Sequence, residues 1–78
     1  MSPTVLRYKS FRFFFFSREE TRMHVHISGP DGEAKFWLEP AVALAQAEGL
    51  SKKSLIELEK QVVAHAEDLK KAWKKHLG

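Results

Sequence analysis

Two histidines stand one residue apart in "RMHVHI", Arg22 to Ile27, inside an otherwise apolar run. On an extended strand, residues i and i+2 point the same way about 7 Å apart, close enough for both imidazoles to grip one metal ion. His24 and His26 are therefore weak candidate metal ligands. Two ligands do not make a tight site, and Glu19, Glu20 and Asp31 fall in loops. Imidazoles titrating near neutrality can also cleave RNA, one as base and the other as acid. His24, His26 and Arg12 are the catalytic candidates on that reading, with Arg12, Arg22 or Lys35 stabilising charge on phosphorus. The plainer alternative is two histidines on an exposed strand face with no chemistry of their own.

The chain carries no phosphate-binding glycine loop, nucleophile elbow or helical His-Glu-x-x-His motif. No cofactor is implied, and whether any turnover occurs stays open. With 78 residues and no cysteine, a single small domain is expected, without disulfides or thiolate-ligated zinc. So short a chain buries only about 60% of its unfolded surface, which makes a partner chain or a homo-oligomer a natural source of further stability. No apolar run approaches the roughly 20 residues that span a bilayer, and "MSPTVLRYKS" lacks a secretory h-region; a cytoplasmic protein with no membrane partner is expected. The net charge of +3 permits an anionic partner without demanding one. All four arginines lie in the first half and most lysines in the second, and arginine suits planar, bidentate contacts with phosphate.

The first half reads as strands over about 4–8, 11–16, 22–27 and 34–38, separated by "KS", "SREET" and "SGPDG". A four-stranded antiparallel meander follows, with Tyr8 opposite Phe11, Phe13 opposite Val25, Phe14 opposite His24, Arg12 opposite His26, His26 opposite Lys35 and Val25 opposite Phe36. Period-two alternation then collects Leu6, Tyr8, Phe11, Phe13, Phe15, Met23, Val25, Ile27, Ala34, Phe36 and Leu38 on a core face. The opposite face collects Val5, Arg7, Arg12, Phe14, Phe16, Arg22, His24, His26, Lys35 and Trp37. Cations interleaved with aromatics can stack bases of single-stranded RNA, or the same patch can lie under another protein.

The second half reads as helix. Pro40 suits the first position of a short helix over about 40–48, with Gly49 as its stop. Ser51 is a plausible N-cap, with Leu50 and Leu55 as a staple. Leu55, Leu58, Val62, Ala66, Leu69, Trp73 and Leu77 then form one apolar stripe, predicting a single long helix over 51–77 that covers the core face. Lys52 and Lys53 at its start and "KKAWKKH" at its end read as solvated ends, the latter favoured by the helix dipole.

The blocks "SPTVLRYKSFRFFFFSREE", "HVHI", "DGEAKFWLEP" and "LKKAWKKHLG" resemble, in this order and over almost the whole chain, the bacterial family called domain of unknown function 4160. Members often carry two prolines ahead of the His-x-His pair; here Thr21, Arg22 and Met23 stand in that region. The resemblance implies a small bacterial protein encoded beside another, as in a toxin–antitoxin module, and brings no catalytic residues with it. Together these readings lead to an α+β domain that is one component, foremost the toxin, of such a module. It would bind its cognate small protein, and RNA when free, through Arg7, Arg12, Phe14, Phe16, Arg22, His24, His26, Lys35 and Trp37. A non-catalytic antitoxin or homodimeric scaffold and a metal-binding protein are the alternatives.

Overall fold

The computed structural model describes residues 4–15 and 22–77. The architecture is α+β: strands β1 (Thr4–Tyr8), β2 (Phe11–Phe14), β3 (His24–Ser28), β4 (Glu33–Trp37) and β5 (Ala43–Glu48), then helices α1 (Lys52–Ala64) and α2 (Ala66–Leu77). The strands form one antiparallel sheet in chain order, so every neighbour in sequence is a neighbour in space. Among the described residues, no helix is long and apolar enough to cross a membrane.

Alternation decides which face is buried. Phe13, Phe15, Val25, Ile27, Ala34, Phe36 and Leu38 pack with Leu58 and Val62 of α1 and Leu69 and Trp73 of α2 into one core. Truncating the fully buried Phe36 to alanine would cost roughly 3–5 kcal/mol, because its neighbours cannot all collapse into the space. The expected β3–β4 register is present, with His26 opposite Lys35 and Val25 opposite Phe36. Between β2 and β3 the expected register is corrected by two residues: Phe13 faces Ile27, Phe14 faces His26 and Arg12 faces Ser28. A slip of two leaves every side chain on its face, so the hydrophobic pattern cannot detect it. Val5 also moves, from the polar face to the core periphery, because the β1–β2 register shifts between Thr4 and Leu6.

Two expected helices are corrected. The segment over 40–48 is a fifth strand rather than a helix, with Glu39–Pro40 in cis ahead of it. The alanine-rich composition favours helix in isolation, but β4 would otherwise present a row of unpaired backbone groups at the sheet edge. Pairing satisfies them, and a register shift opposite Lys35 and Phe36 lets Leu44 and Ala47 share the side of Phe36 and Ala34. The long helix over 51–77 is two helices broken at His65 (φ −109°, ψ 14°), whose N–H is shared between the Gln61 and Val63 carbonyls. A straight helix of that length would run about 40 Å, longer than the 33 Å longest dimension of the chain. The break lets one continuous stripe follow a curved core.

Ser51 caps α1 as expected, its hydroxyl accepting from the Ser54 N–H at 3.1 Å. The β1–β2 turn is tied to α1 by Lys9, which donates to Glu57 Oε2 at 2.8 Å, and by the Tyr8 hydroxyl, which donates to the same oxygen at 3.1 Å. Lys9 holds Glu57 below the usual carboxylate range, with help from Tyr8, and Glu57 raises Lys9. Glu57 thus contributes stability above its unfolded-state pKa, lost as pH falls through its lowered folded value. Lys9 contributes below its unfolded-state pKa, lost as pH rises through its raised folded value. Glu57→Gln should remove its share of the acid-side loss, and thermal melts should show the difference shrinking as salt rises.

Gly49 adopts φ 78°, and a Cβ there would press on the Asp31 carbonyl oxygen. Left-handed backbone disfavours any L side chain, so the residue expected to stop a helix instead turns the chain out of β5. Gly49→Ala should lower unfolding stability by roughly 1–3 kcal/mol in urea titration; an unchanged midpoint would contradict this account of the turn.

Candidate functional site

The face opposite the core is organised in cross-strand rows set by register. One row runs Phe14, His26, Lys35, Gln46 across β2 to β5; on one side lies Arg12, Ser28, Glu33, Glu48, and on the other His24, Trp37, Ala43. Each aromatic in these rows is met by a cation or an imidazole. The Arg12 guanidinium lies 4.5 Å from the Phe14 ring centre, and His26 stacks on Phe14 at 5.6 Å. Trp37 receives the Arg22 guanidinium at 4.2 Å and the Lys35 ammonium at 4.6 Å. Phe14 and Lys35 are themselves buried, each 7% exposed, so these contacts hold the two groups beneath the half-buried Arg12 and the exposed Arg22.

Backbone hydrogen bonds hold the frame. Leu38 N–H donates to the Met23 carbonyl at 2.9 Å, and Met23 N–H donates to Glu39 Oε1 at 3.2 Å. Arg22 Nε–H donates to the Glu39 carbonyl at 2.9 Å, so the exposed guanidinium is anchored by one edge and stacked by one face. Arg12 Nε–H donates to Thr4 Oγ1 in the same manner.

The two histidines have different situations. His24 is fully buried; its Nδ1–H donates to the Arg22 carbonyl at 2.8 Å, so the hydrogen must reside on that nitrogen. Its ring meets Trp73 of α2 at 4.8 Å, Trp37 at 5.9 Å and His26 at 5.0 Å. Trp73 also meets Phe15 edge-on at 5.5 Å, so α2 closes the end of the sheet where β2 finishes and β3 begins. His26 instead lines an open cleft of about 390 Å³ with Phe14, Glu33, Lys35, Gln46 and Glu48.

These placements sort the residues expected from sequence. Arg12, Phe14, Arg22, His24, His26, Lys35 and Trp37 are brought together. Arg7 sits opposite Arg12 on edge strand β1 and is exposed. Phe16, Glu19 and Glu20 lie outside the described residues. For a two-imidazole acid–base pair both rings must reach one phosphate, and His24 at 0% exposure presents none of its surface. Among the described residues no group of three or more His, Cys, Asp or Glu is placed to hold a metal ion, so a metal on the His pair would have to draw its other ligands from elsewhere. Sequence reasoning missed Gln46, Glu33 and Glu48. Gln46 and Glu48 were assigned to a helix, although the alternating alanines at 41, 43, 45 and 47 are a period-two signal.

A small antiparallel sheet with a helix-covered face and a cation–aromatic face is the class of protein this geometry defines. Residues 10–74 match the family described as Domain of unknown function (DUF4160), and the chain belongs to that family. Neither a curated protein nor a solved structure matches it.

The buried and cleft histidines should separate on mutation. His24→Ala should cost roughly 2–4 kcal/mol of stability, from the lost packing and the orphaned Arg22 carbonyl. His26→Ala should stay within about 1 kcal/mol. Equal losses in chemical denaturation would contradict the assignment of His24 as the fixed partner and His26 as the presented one.

Proposed function

We propose that the protein is one component, the toxin, of a two-gene bacterial toxin–antitoxin-like module acting in the cytoplasm. Its cation–aromatic sheet face binds the cognate small protein and, when that partner is absent, single-stranded RNA. The observation that carries this reading is the run of stacked pairs Arg12–Phe14–His26 and Arg22–Trp37–Lys35 on one face. The exposed Arg22 guanidinium and the half-buried Trp37 ring and Arg12 guanidinium are groups on which unstacked bases and their phosphates can rest, while Phe14 and Lys35, each 7% exposed, support them from beneath. The cleft adds a second chemistry. Glu33 and Glu48 face each other across β4–β5, and Gln46 lies beside Lys35. Carboxylates and an amide there can accept from exocyclic amines of a base, or from donors on a partner's inserted side chain.

With His24 buried, the reading is one of binding, and inhibition follows from occupancy of the target rather than from a two-histidine cleavage. A partner covering the same face would compete with RNA directly, which is how a cognate protein neutralises this activity.

Expression of the chain alone should arrest growth, and co-expression of the neighbouring gene's product should restore it. Purified protein should bind a short single-stranded RNA with log affinity falling by about 0.7 for each neutralised phosphate per decade of salt. Trp37→Ala should weaken binding roughly tenfold, in keeping with one lost stacking contact. Normal growth, together with no binding of either the RNA or the neighbouring product, would rule the reading out.

A further inference from the structure

One cross-strand row of the open face carries opposite charges at its two ends. Register lines up Arg7, Arg12, Ser28, Glu33 and Glu48 in that order from β1 to β5. Two arginines stand opposite each other at one end, and two glutamates at the other. Like charges directly opposite on antiparallel strands are destabilising, so folding gains nothing from either pair. Arg7, Glu33 and Glu48 are exposed. Among the described residues neither glutamate makes an ion pair or a side-chain hydrogen bond. Arg12 and Glu33 lie two strands apart, about 10 Å, comparable with the reach of one nucleotide from its phosphate to the far edge of its base. The cleft of about 390 Å³ opens beside this interval, lined by Glu33, Gln46 and Glu48 from β4 and β5 and by the stacked Phe14 and His26 rings from β2 and β3.

We propose, on the basis of the RNA reading above, that this row holds one guanine nucleotide of the single strand, its phosphate on Arg7 and Arg12 and its base in the cleft beside His26. Ionised carboxylates only accept hydrogen bonds, so they select the base whose edge is richest in donors. Guanine offers its N1–H and its N2 amine side by side, which the facing Glu33 and Glu48 take together. Adenine and cytosine set one amine next to a ring nitrogen whose lone pair repels a carboxylate. Uracil flanks its one N–H with two carbonyls. Gln46, two residues from Glu48 on the same strand face, donates its amide to guanine O6. At the other end the arginines supply planar, paired donors to phosphate oxygens. A cationic side chain of a partner protein would satisfy the glutamates but leave the two arginines facing each other. A nucleotide answers both ends of the row.

Fluorescence anisotropy of the full chain with labelled uridine heptamers, each carrying guanine, adenine, cytosine, uracil or hypoxanthine at its centre, tests the assignment. The guanine heptamer should bind about tenfold tighter than the adenine, cytosine and uracil ones, as one paired base contact requires. Hypoxanthine, which lacks the N2 amine, should lose most of that advantage. Glu33→Gln/Glu48→Gln should abolish the preference for guanine while the all-uridine heptamer binds no more weakly than before. Arg7→Gln should weaken every heptamer alike, lower the salt slope by about 0.7 and leave the preference intact. All three side chains are exposed, so the variants keep the fold, which circular dichroism checks. Equal binding of all five heptamers, hypoxanthine equal to guanine, or a preference that survives the double exchange would each overturn the proposal and leave the RNA reading in place. Binding of guanosine 5′-monophosphate, but not of adenosine 5′-monophosphate or any heptamer, would support the guanine site and overturn the RNA reading. No binding of any of these probes would overturn both.

Discussion

The antiparallel pairing of β3 with β4 is the constraint from which the rest of the molecule follows. Its register puts Val25 and Ile27 with Phe36 and Ala34 on one side, and His24 and His26 with Trp37 and Lys35 on the other. Because side chains alternate with strict period two, the residues that build the core cannot be buried without also assembling the cation–aromatic rows. The helical stripe covers the first group and, through Trp73, also meets His24 of the second. The opposite face therefore owes its arrangement to hydrophobic burial that takes place on the other side of the sheet.

His24 links the two sides. It belongs by register to the row of Trp37, yet its ring contacts Trp73, a core residue of α2, while its Nδ1–H holds the Arg22 carbonyl. The position of the Arg22 guanidinium over Trp37 thus depends on the packing of the last helix. Edge strand β5 performs a different service. By pairing with β4 it brings Gln46 and Glu48 beside Lys35 and Glu33, adding acceptors to a face that would otherwise be mainly cationic.

What could be read in advance follows physical lines. The strand faces other than that of Val5, the β3–β4 register, the tight Lys9–Ser10 turn and the Ser51 cap were legible because each rests on local pattern or on a specific side-chain hydrogen bond. The two-residue displacement of β2 against β3 was not, since even-numbered slips leave every face unchanged. The fifth strand was hidden because alanine favours helix locally while the demand of an open sheet edge is tertiary. The break at His65 was hidden because the stripe keeps its spacing on both sides. Most of the candidate face was legible from alternation; its acceptor end was lost with the misassigned strand, and the burial of His24 depends on Trp73, some fifty residues away.

The central claim is that ligands meet the face carrying Arg12, Phe14, Arg22, His26 and Trp37, and it can be tested at the level of single residues. The chain has two tryptophans, one on that face and one in the core, so the two indole N–H signals in a proton–nitrogen NMR titration report the two sides separately. Adding single-stranded RNA, and in a second titration the neighbouring gene's product, should shift the Trp37 indole and the β2–β4 amides while the Trp73 indole moves little. Shifts confined to α1 and α2, with Trp37 unmoved in both titrations, would contradict the account.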